Sequence, residues 1–261
     1  MKIIWALFDS GNGCYKKAVQ KYFSDTFEIY SIGIDVENKN EHFINLDLAD
    51  YSILFQDNKL YDTLDSLPQP DIILASPPCE SWSVATSMKD GNASWYTDTM
   101  ENLFGEMKSN NSFTIRTREQ IESHNEITSF KKHWYKCFYS RVNGELCAFN
   151  TTQIIERYKP KIWVIENPQA SKIWKYLDYI HGFKGIKNVA HYCAYSDETT
   201  KKPTIFMSNI AIPLKRTNQK AKVAWTGSND GRKEISTSYN ERSNIPLNLI
   251  KDILDKCLEE L

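Results

Sequence analysis

The sequence predicts an α/β protein built on a doubly wound, Rossmann-like sheet. Three observations support this. Short apolar runs of strand length alternate with segments of helical period through the first half of the chain. The first run leads into a polar, glycine-containing turn, DSGNG, of the kind that joins a strand to a helix beside a ligand. Later runs end in acidic residues or prolines, at the edge where open α/β sheets place their sites.

Ile3–Phe8 is the first strand, and Tyr15–Phe23 reads as the helix after it. Glu28–Asp35 and His42–Leu46 are the second and third strands. Asp71–Ala75 is a fourth and stops at Pro77-Pro78, because proline fixes φ and restricts its predecessor. Ile154–Tyr158 ends a helix, and Ile162–Glu166 is a fifth strand. Asn188–Ala194 and Thr204–Ser208 are late strands. Leu247–Leu258 has apolar residues at helical spacing after Pro246, which suits a terminal helix. Two stretches break the rhythm. Residues 88–143 are long, polar and Asn/Ser-rich, too long for a plain connection and therefore expected to be an insertion or lid. Pro213–Lys233 is rich in Lys and Arg and shows no clear period.

A chain of 261 residues suits one large domain, or one with a small appendage. Its 41% apolar and 25% charged residues exclude a disordered chain. With a net charge of -1, any phosphate-binding surface must be local. The six cysteines, at 14, 79, 137, 147, 193 and 257, form no CxxC pair, and the histidines give no zinc spacing. No metal is expected, and the thiols are read as free and mostly buried in a reducing cytosol. Ile3–Phe8 is too short for a signal peptide or a membrane span, and no later run is long enough. A cytoplasmic or nuclear protein is expected.

Three constellations carry chemistry. In DIILASPPCESWS, two prolines stiffen the loop that holds Cys79 just past a strand, as a covalent nucleophile requires; taken alone, Pro-Pro-Cys is equally consistent with one more buried thiol. In IWVIENPQ, a strand delivers Glu166 and Asn167 to its carboxyl end, where burial would raise a carboxyl towards a neutral-pH acid; a loop cap or a partner for lysine is the plainer role. In WALFDSGNG, Gly11 and Gly13 would let backbone approach a cofactor; Asp35 ends the second strand, where an acid commonly binds ribose, and Asp47 ends the third, although a turn glycine or a strand-end Asp is usually just a turn.

In this order, the constellations resemble those of the cytosine-C5 DNA methyltransferase family, most closely its compact phage-type branch. The resemblance runs from Ile3 to about Leu254 with the insertion left out, and its most specific pieces are Pro-Pro-Cys and Glu-Asn-Pro. YCAYSDETTKKPTIFMSN (Tyr192–Asn209) and ERSNIPLNLIKDIL (Glu241–Leu254) also look like the branch's late motifs. The resemblance implies a class I S-adenosylmethionine-dependent methyltransferase fold with a mixed seven-stranded sheet, as one catalytic domain over 1–261. It implies S-adenosylmethionine as cofactor and duplex DNA as partner, with the target cytosine flipped out. Cys79 would add to C6 while Glu166 holds and protonates N3. Phe8 would stack on the cofactor's adenine and Asp35 would bind its ribose. Val36 would lie against the adenine and Asp47 on its amino group. Ser10, Gly11, Gly13, Pro77 and Asn244 would complete that site, with Asn167 towards the substrate. Lys202 and Thr204 stand where the family carries two arginines.

The short span between Asn209 and Tyr239 leaves a reduced target-recognition segment over 210–238, with little or no separate recognition domain. Recognition is therefore expected to be minimal or shared with the insertion: Arg116 and Arg118 are expected to read base edges, and Lys215 and Lys220 to contact phosphates, the plainer alternative for the insertion being a solvated, disordered loop. A monomer is expected, with a restriction endonuclease as a candidate partner in a phage or restriction–modification setting. Two alternatives stand. One is the tRNA-methylating branch, which carries a Cys-Phe-Thr signature in its recognition region; here Cys137-Phe138-Tyr139 lies in the insertion. The other is an idle cofactor- and nucleic-acid-binding relative, against which the presence of both Cys79 and Glu166 argues.

Overall fold

The computed structural model describes residues 1–9, 11, 13–35, 42–82, 95–101, 107–127, 133–225, 231–235 and 243–261. The expected sites Ser10 and Val36 lie outside the described residues, as does part of the expected insertion. The chain forms two compact units. One comprises Met1–Pro77, Asn150–Gln169 and Gly185–Leu261; the other comprises Pro78–Phe149 and Ala170–Lys184.

The first unit holds a seven-stranded sheet. In chain order its strands are β1 (Lys2–Leu7), β2 (Phe27–Gly33), β3 (Phe43–Asn45), β4 (Ile72–Ala75), β7 (Ile162–Pro168), β8 (Ile186–His191) and β9 (Pro203–Ser208). The spatial order is β3-β2-β1-β4-β7-β9-β8. β1 pairs in parallel with β2 and β4, β2 with β3, and β4 with β7. β9 runs antiparallel to both of its neighbours. This is the α/β, Rossmann-like, mixed seven-stranded sheet that the sequence predicts. β1 is apolar after Lys2, β4 is apolar throughout, and β7 is apolar up to Glu166, as expected for strands buried on both faces.

Strand alternation sorts the residues between the faces. Ile4, Ala6, Ile72, Leu74, Ile162, Val164 and Phe206 form one core with helix α1 (Cys14–Tyr22) and the terminal helix Leu247–Glu260, including Ile250, Ile253 and Leu254. On the other face, Trp5 meets Tyr158 edge-on at 4.6 Å. Tyr158 ends the long helix Trp134–Tyr158, and its hydroxyl donates to Asp65 at the end of helix α2 (Lys59–Asp65) at 2.6 Å. That helix stops with Lys159 in the left-handed region (φ 44) just before Pro160, a common termination.

The sequence-based boundaries shift in three places. The strand expected over Asn188–Ala194 is β8 followed by a 3-10 turn at Tyr192–Ala194, yet Asn188, Ala190 and Tyr192 keep one alternating buried row. The second unit contains the hairpin β5 (Trp95–Glu101) and β6 (Met107–Ile115) and a helix at Arg118–Ile127, and Asn143 falls inside the long helix rather than at an insertion's end. Within Pro213–Lys233 and just beyond, β10 (Val223–Trp225) and β11 (Lys233–Ile235) pair over three residues. These ladders are too short to show as a period in the sequence.

No helix among the described residues is long and apolar enough to cross a membrane. None of the six cysteines forms a disulfide, and Cys14, Cys137, Cys147 and Cys257 are buried.

Candidate active site

The parallel strands bring their carboxyl ends to one edge, and the first connection there is built around Asp9. Phe8 turns the chain with φ 67, a left-handed value that costs a non-glycine residue on the order of 1–3 kcal/mol. The turn sends Asp9 inward. Its carboxylate accepts the amides of Tyr15 and Lys16, each at 3.1 Å, and the Ser31 hydroxyl at 3.1 Å. Helix α1 has Gly13 at its N-cap (φ 59), with no side chain to cap the free amides. Asp9 supplies that cap from four residues upstream and places a carboxylate at the positive end of the helix. Burial pushes its carboxyl up to about 6, against the opposing pull of those three hydrogen bonds. Nothing in an isolated Asp before a glycine turn says that it faces inward, so sequence alone assigns Asp9 no role.

Gly11 and Asp35 meet. A Cβ on Gly11 would sit 2.9 Å from Asp35 Oδ2, so the glycine leaves room for that carboxylate. Asp35 is exposed just past β2, and Asp47 is exposed just past β3, with one oxygen accepting the Ala49 amide at 2.8 Å. Asn244, returning from far along the chain, accepts a hydrogen bond from Cys14 Sγ at 3.5 Å at the start of α1. A glycine turn beside exposed carboxylates at adjacent strand ends suits the hydroxyl and amino donors of a nucleoside.

Glu166 lies at the end of β7, in the same alternating row as Ile162 and Val164, and is only 8% exposed. The Tyr192 hydroxyl donates to its Oε1 at 3.3 Å. The hydroxyl of Ser76, just past β4, also pulls the Glu166 carboxyl down, and Ser76 Oγ lies 2.8 Å from the Tyr15 hydroxyl. Burial raises the Glu166 carboxyl above the ordinary range, while the charge of Lys202 and the bonds from Ser76 and Tyr192 pull it back. Lys202 has φ 28, and its Nζ lies 4.7 Å from the centre of the Tyr192 ring. Thr204 is wholly buried, and its hydroxyl donates to the Lys202 carbonyl at 3.1 Å. Asn167, on the opposite face and 1% exposed, donates from Nδ2 to the Pro77 carbonyl at 2.9 Å. That bond ties the end of β7 to the start of the proline loop.

No family model matches the chain, and no curated protein does. Among solved structures it is similar to a candidate DNA modification methyltransferase encoded within a prophage of E. coli, at 14% identity and a TM-score of 0.38. The match covers 80% of this chain and 46% of that one, so the chain spans less than half that protein's length. Any account of the chemistry must therefore come from this chain's own residues.

In the second unit, Cys79 is half-buried in a turn closed by the Trp82 amide donating to the Cys79 carbonyl at 3.1 Å. Trp82 is fully buried. It packs 4.7 Å from the Tyr176 ring and stacks on Trp95 at 6.3 Å, while Trp95 Nε1 donates to Glu145 at 3.1 Å. The long helix passes close behind: a Cβ on Gly144 would overlap the Ser81 hydroxyl and come within 3.2 Å of Trp82 Nε1. Gly144→Ala is therefore expected to lower stability by ~1–3 kcal/mol through overpacking. Helix propensity alone favours alanine by about 1 kcal/mol, so the sign of the change in melting temperature separates the two effects. A melt at or above that of the native chain would show that the Cys79 turn yields freely.

Arg116 is buried, at 8% exposure, whereas Arg118 is exposed and paired with Glu122 at 2.7 Å. Of the two expected base readers, only Arg118 stands at a surface. Lys215 pairs with Asp252 of the terminal helix at 3.1 Å and lies over Tyr195, and Lys220 is exposed. Among the described residues, no three His, Cys, Asp or Glu side chains are arranged to hold a metal.

Proposed function

We propose that this protein is a DNA cytosine-C5 methyltransferase that uses S-adenosylmethionine, with Cys79 as nucleophile and Glu166 as the acid that holds the base. The observation that carries the reading is Glu166: a buried carboxyl at the carboxyl end of a central strand, raised by burial and ringed by hydroxyls. Such a group holds its proton more tightly than an exposed carboxyl does and can donate it to a ring nitrogen. The wider support is the sheet order with its antiparallel β9, and a proline-stiffened thiol directly after β4.

Asp35 and Asp47 would hold the ribose and adenine amino group, with Gly11 keeping Asp35 unobstructed and Asn244 near the start of α1. When bound, the cofactor supplies an electrophilic methyl group to C5 and leaves as S-adenosylhomocysteine. Cys79 Sγ forms a bond to C6 of the flipped cytosine as Glu166 delivers its proton to N3, which makes C5 nucleophilic. After transfer, loss of the C5 proton to a base breaks the bond from Sγ to C6 and returns the thiolate, and the N3 proton goes back to Glu166. Lys202 is the cation near Glu166, and Arg118 and Lys220 are the exposed candidates for contacts with DNA.

The test is direct. The purified chain is incubated with methyl-labelled S-adenosylmethionine and either duplex DNA or tRNA, and the nucleic acid is digested to nucleosides. Label is expected in 5-methyldeoxycytidine, and bisulfite sequencing of DNA from an expressing host would give the target site. Label in tRNA alone, in another nucleoside, or in neither substrate would overturn the reading.

A further inference from the structure

We propose that Tyr192 and Ser76 form a hydroxyl clamp that positions Glu166, with Tyr15 behind Ser76 and Lys202 over Tyr192; as far as catalysis is concerned, this rests on the role of Glu166 proposed above. The clamp draws on distant parts of the chain. Tyr15 comes from α1, Ser76 from the end of β4, Tyr192 from the turn after β8, and Lys202 from the residue before β9.

The donor directions follow from which groups can accept. An ionised carboxylate only accepts hydrogen bonds, so Tyr192 donates to Oε1 at 3.3 Å and Ser76 donates its own proton. Ser76 can then accept from Tyr15, whose oxygen is 2.8 Å away. Tyr15 and Tyr192 are both buried, and burial holds both phenols well above their ordinary value, so they act as fixed neutral donors. Other groups packed around this set are Cys14 and Asp9 at the α1 end, and Thr204 on β9, whose hydroxyl meets the Tyr192 phenol. Lys202 Nζ lies 4.7 Å from the Tyr192 ring centre, so that ring carries the cation near Glu166 without using the hydroxyl.

The clamp gives Glu166 a fixed orientation and two donors that favour its ionised form, against the burial that favours its protonated form. Glu166 is thereby able both to give and to regain a proton. No feature of the linear sequence marks Tyr192 or Tyr15 for this role.

Tyr192→Phe is the discriminating variant, because it keeps the ring and the Lys202 contact and removes only the hydroxyl. The first measurement needs no activity. Unfolding free energy is followed against pH for the native chain, Tyr192→Phe, Glu166→Gln and the double variant. Removing a donor to the carboxylate should raise the Glu166 pKa by about one unit, so the Tyr192→Phe defect should grow as pH rises. In the Glu166→Gln background the same substitution should show no pH dependence. An equal pH dependence in both backgrounds would overturn the clamp.

The second measurement is methyl transfer to DNA. The plateau kcat is expected to fall ~10-fold from lost positioning, with KM for DNA and for S-adenosylmethionine within about twofold. The alkaline limb of the rate profile should move up by about one pH unit, because Glu166 keeps its proton longer. Ser76→Ala should move the limb the same way. An unmoved limb would overturn the positioning role. If the native chain methylates no cytosine, the functional reading fails, and the pH-dependent cycle still decides whether the clamp exists.

Discussion

Cys79→Ser is expected to abolish methyl transfer to DNA, with a loss of 10⁴-fold or more, the order of magnitude seen when a covalent nucleophile is removed. A thiolate is accessible near neutral pH, whereas a serine hydroxyl needs a dedicated base. The fold should be indifferent to the change. Cys79 is half-buried, and its carbonyl, not its side chain, closes the turn with the Trp82 amide. The turn is anchored by Trp82 against Tyr176 and Trp95, and serine replaces the thiol with a hydroxyl of similar size. Melting temperature and cofactor affinity should therefore match those of the native chain. Duplex DNA carrying 5-fluorocytosine at the target blocks loss of the C5 substituent and should trap a covalent adduct. Mass spectrometry of the digested adduct should place it on Cys79. An adduct that persists in Cys79→Ser would remove this residue from the role.

Glu166→Gln is expected to lower kcat by 10²–10⁴-fold, the usual contribution of a positioned acid, while leaving S-adenosylmethionine affinity unchanged. The amide matches the carboxyl in size but cannot hand over an acidic proton. The same substitution should change stability with a definite sign. Burial raises the Glu166 carboxyl above its ordinary 4.5, so the folded state holds that proton more tightly than the unfolded chain does. Stability from this group is therefore full below the unfolded value and is lost as pH rises through the raised folded value. Glutamine does not titrate. Relative to the variant, the native chain should lose stability as pH climbs above the ordinary carboxylate range, and melting curves across that window check it. A constant gap between the two would mean that its surroundings do not raise the Glu166 carboxyl.

The positions of several candidate site residues at strand ends were legible in the sequence because they depend on local pattern. A strand shows as an apolar run, and the residue that ends it follows directly. Asp35, Asp47, Cys79 and Glu166 could thus be assigned to strand ends, and the α/β class read from the alternation of runs. The hairpin Trp95–Ile115 was not legible, because Asn, Ser and Thr interrupt any period-two alternation, nor was the helix Arg118–Ile127, whose apolar residues are only Ile121 and Ile127. Arg116 illustrates the limit of composition: as one of a basic cluster it reads as a surface contact, yet it is buried.

Other features were decided only when the chain closed on itself. The insertion of β9 between β7 and β8 brings Thr204 beside Pro168 and Phe206 beside Glu166, a pairing set by a return of the chain that no local period encodes. Asp9 turns inward because Phe8 accepts a left-handed backbone and because Ser31, on another strand, offers a donor. Tyr15, Ser76 and Tyr192 converge on Glu166 from separate elements. The sequence by itself determined which carboxyl ends a central strand. Only the tertiary structure decided which hydroxyls and which lysine surround that carboxyl, because its titration depends on burial and on neighbours that are distant in sequence.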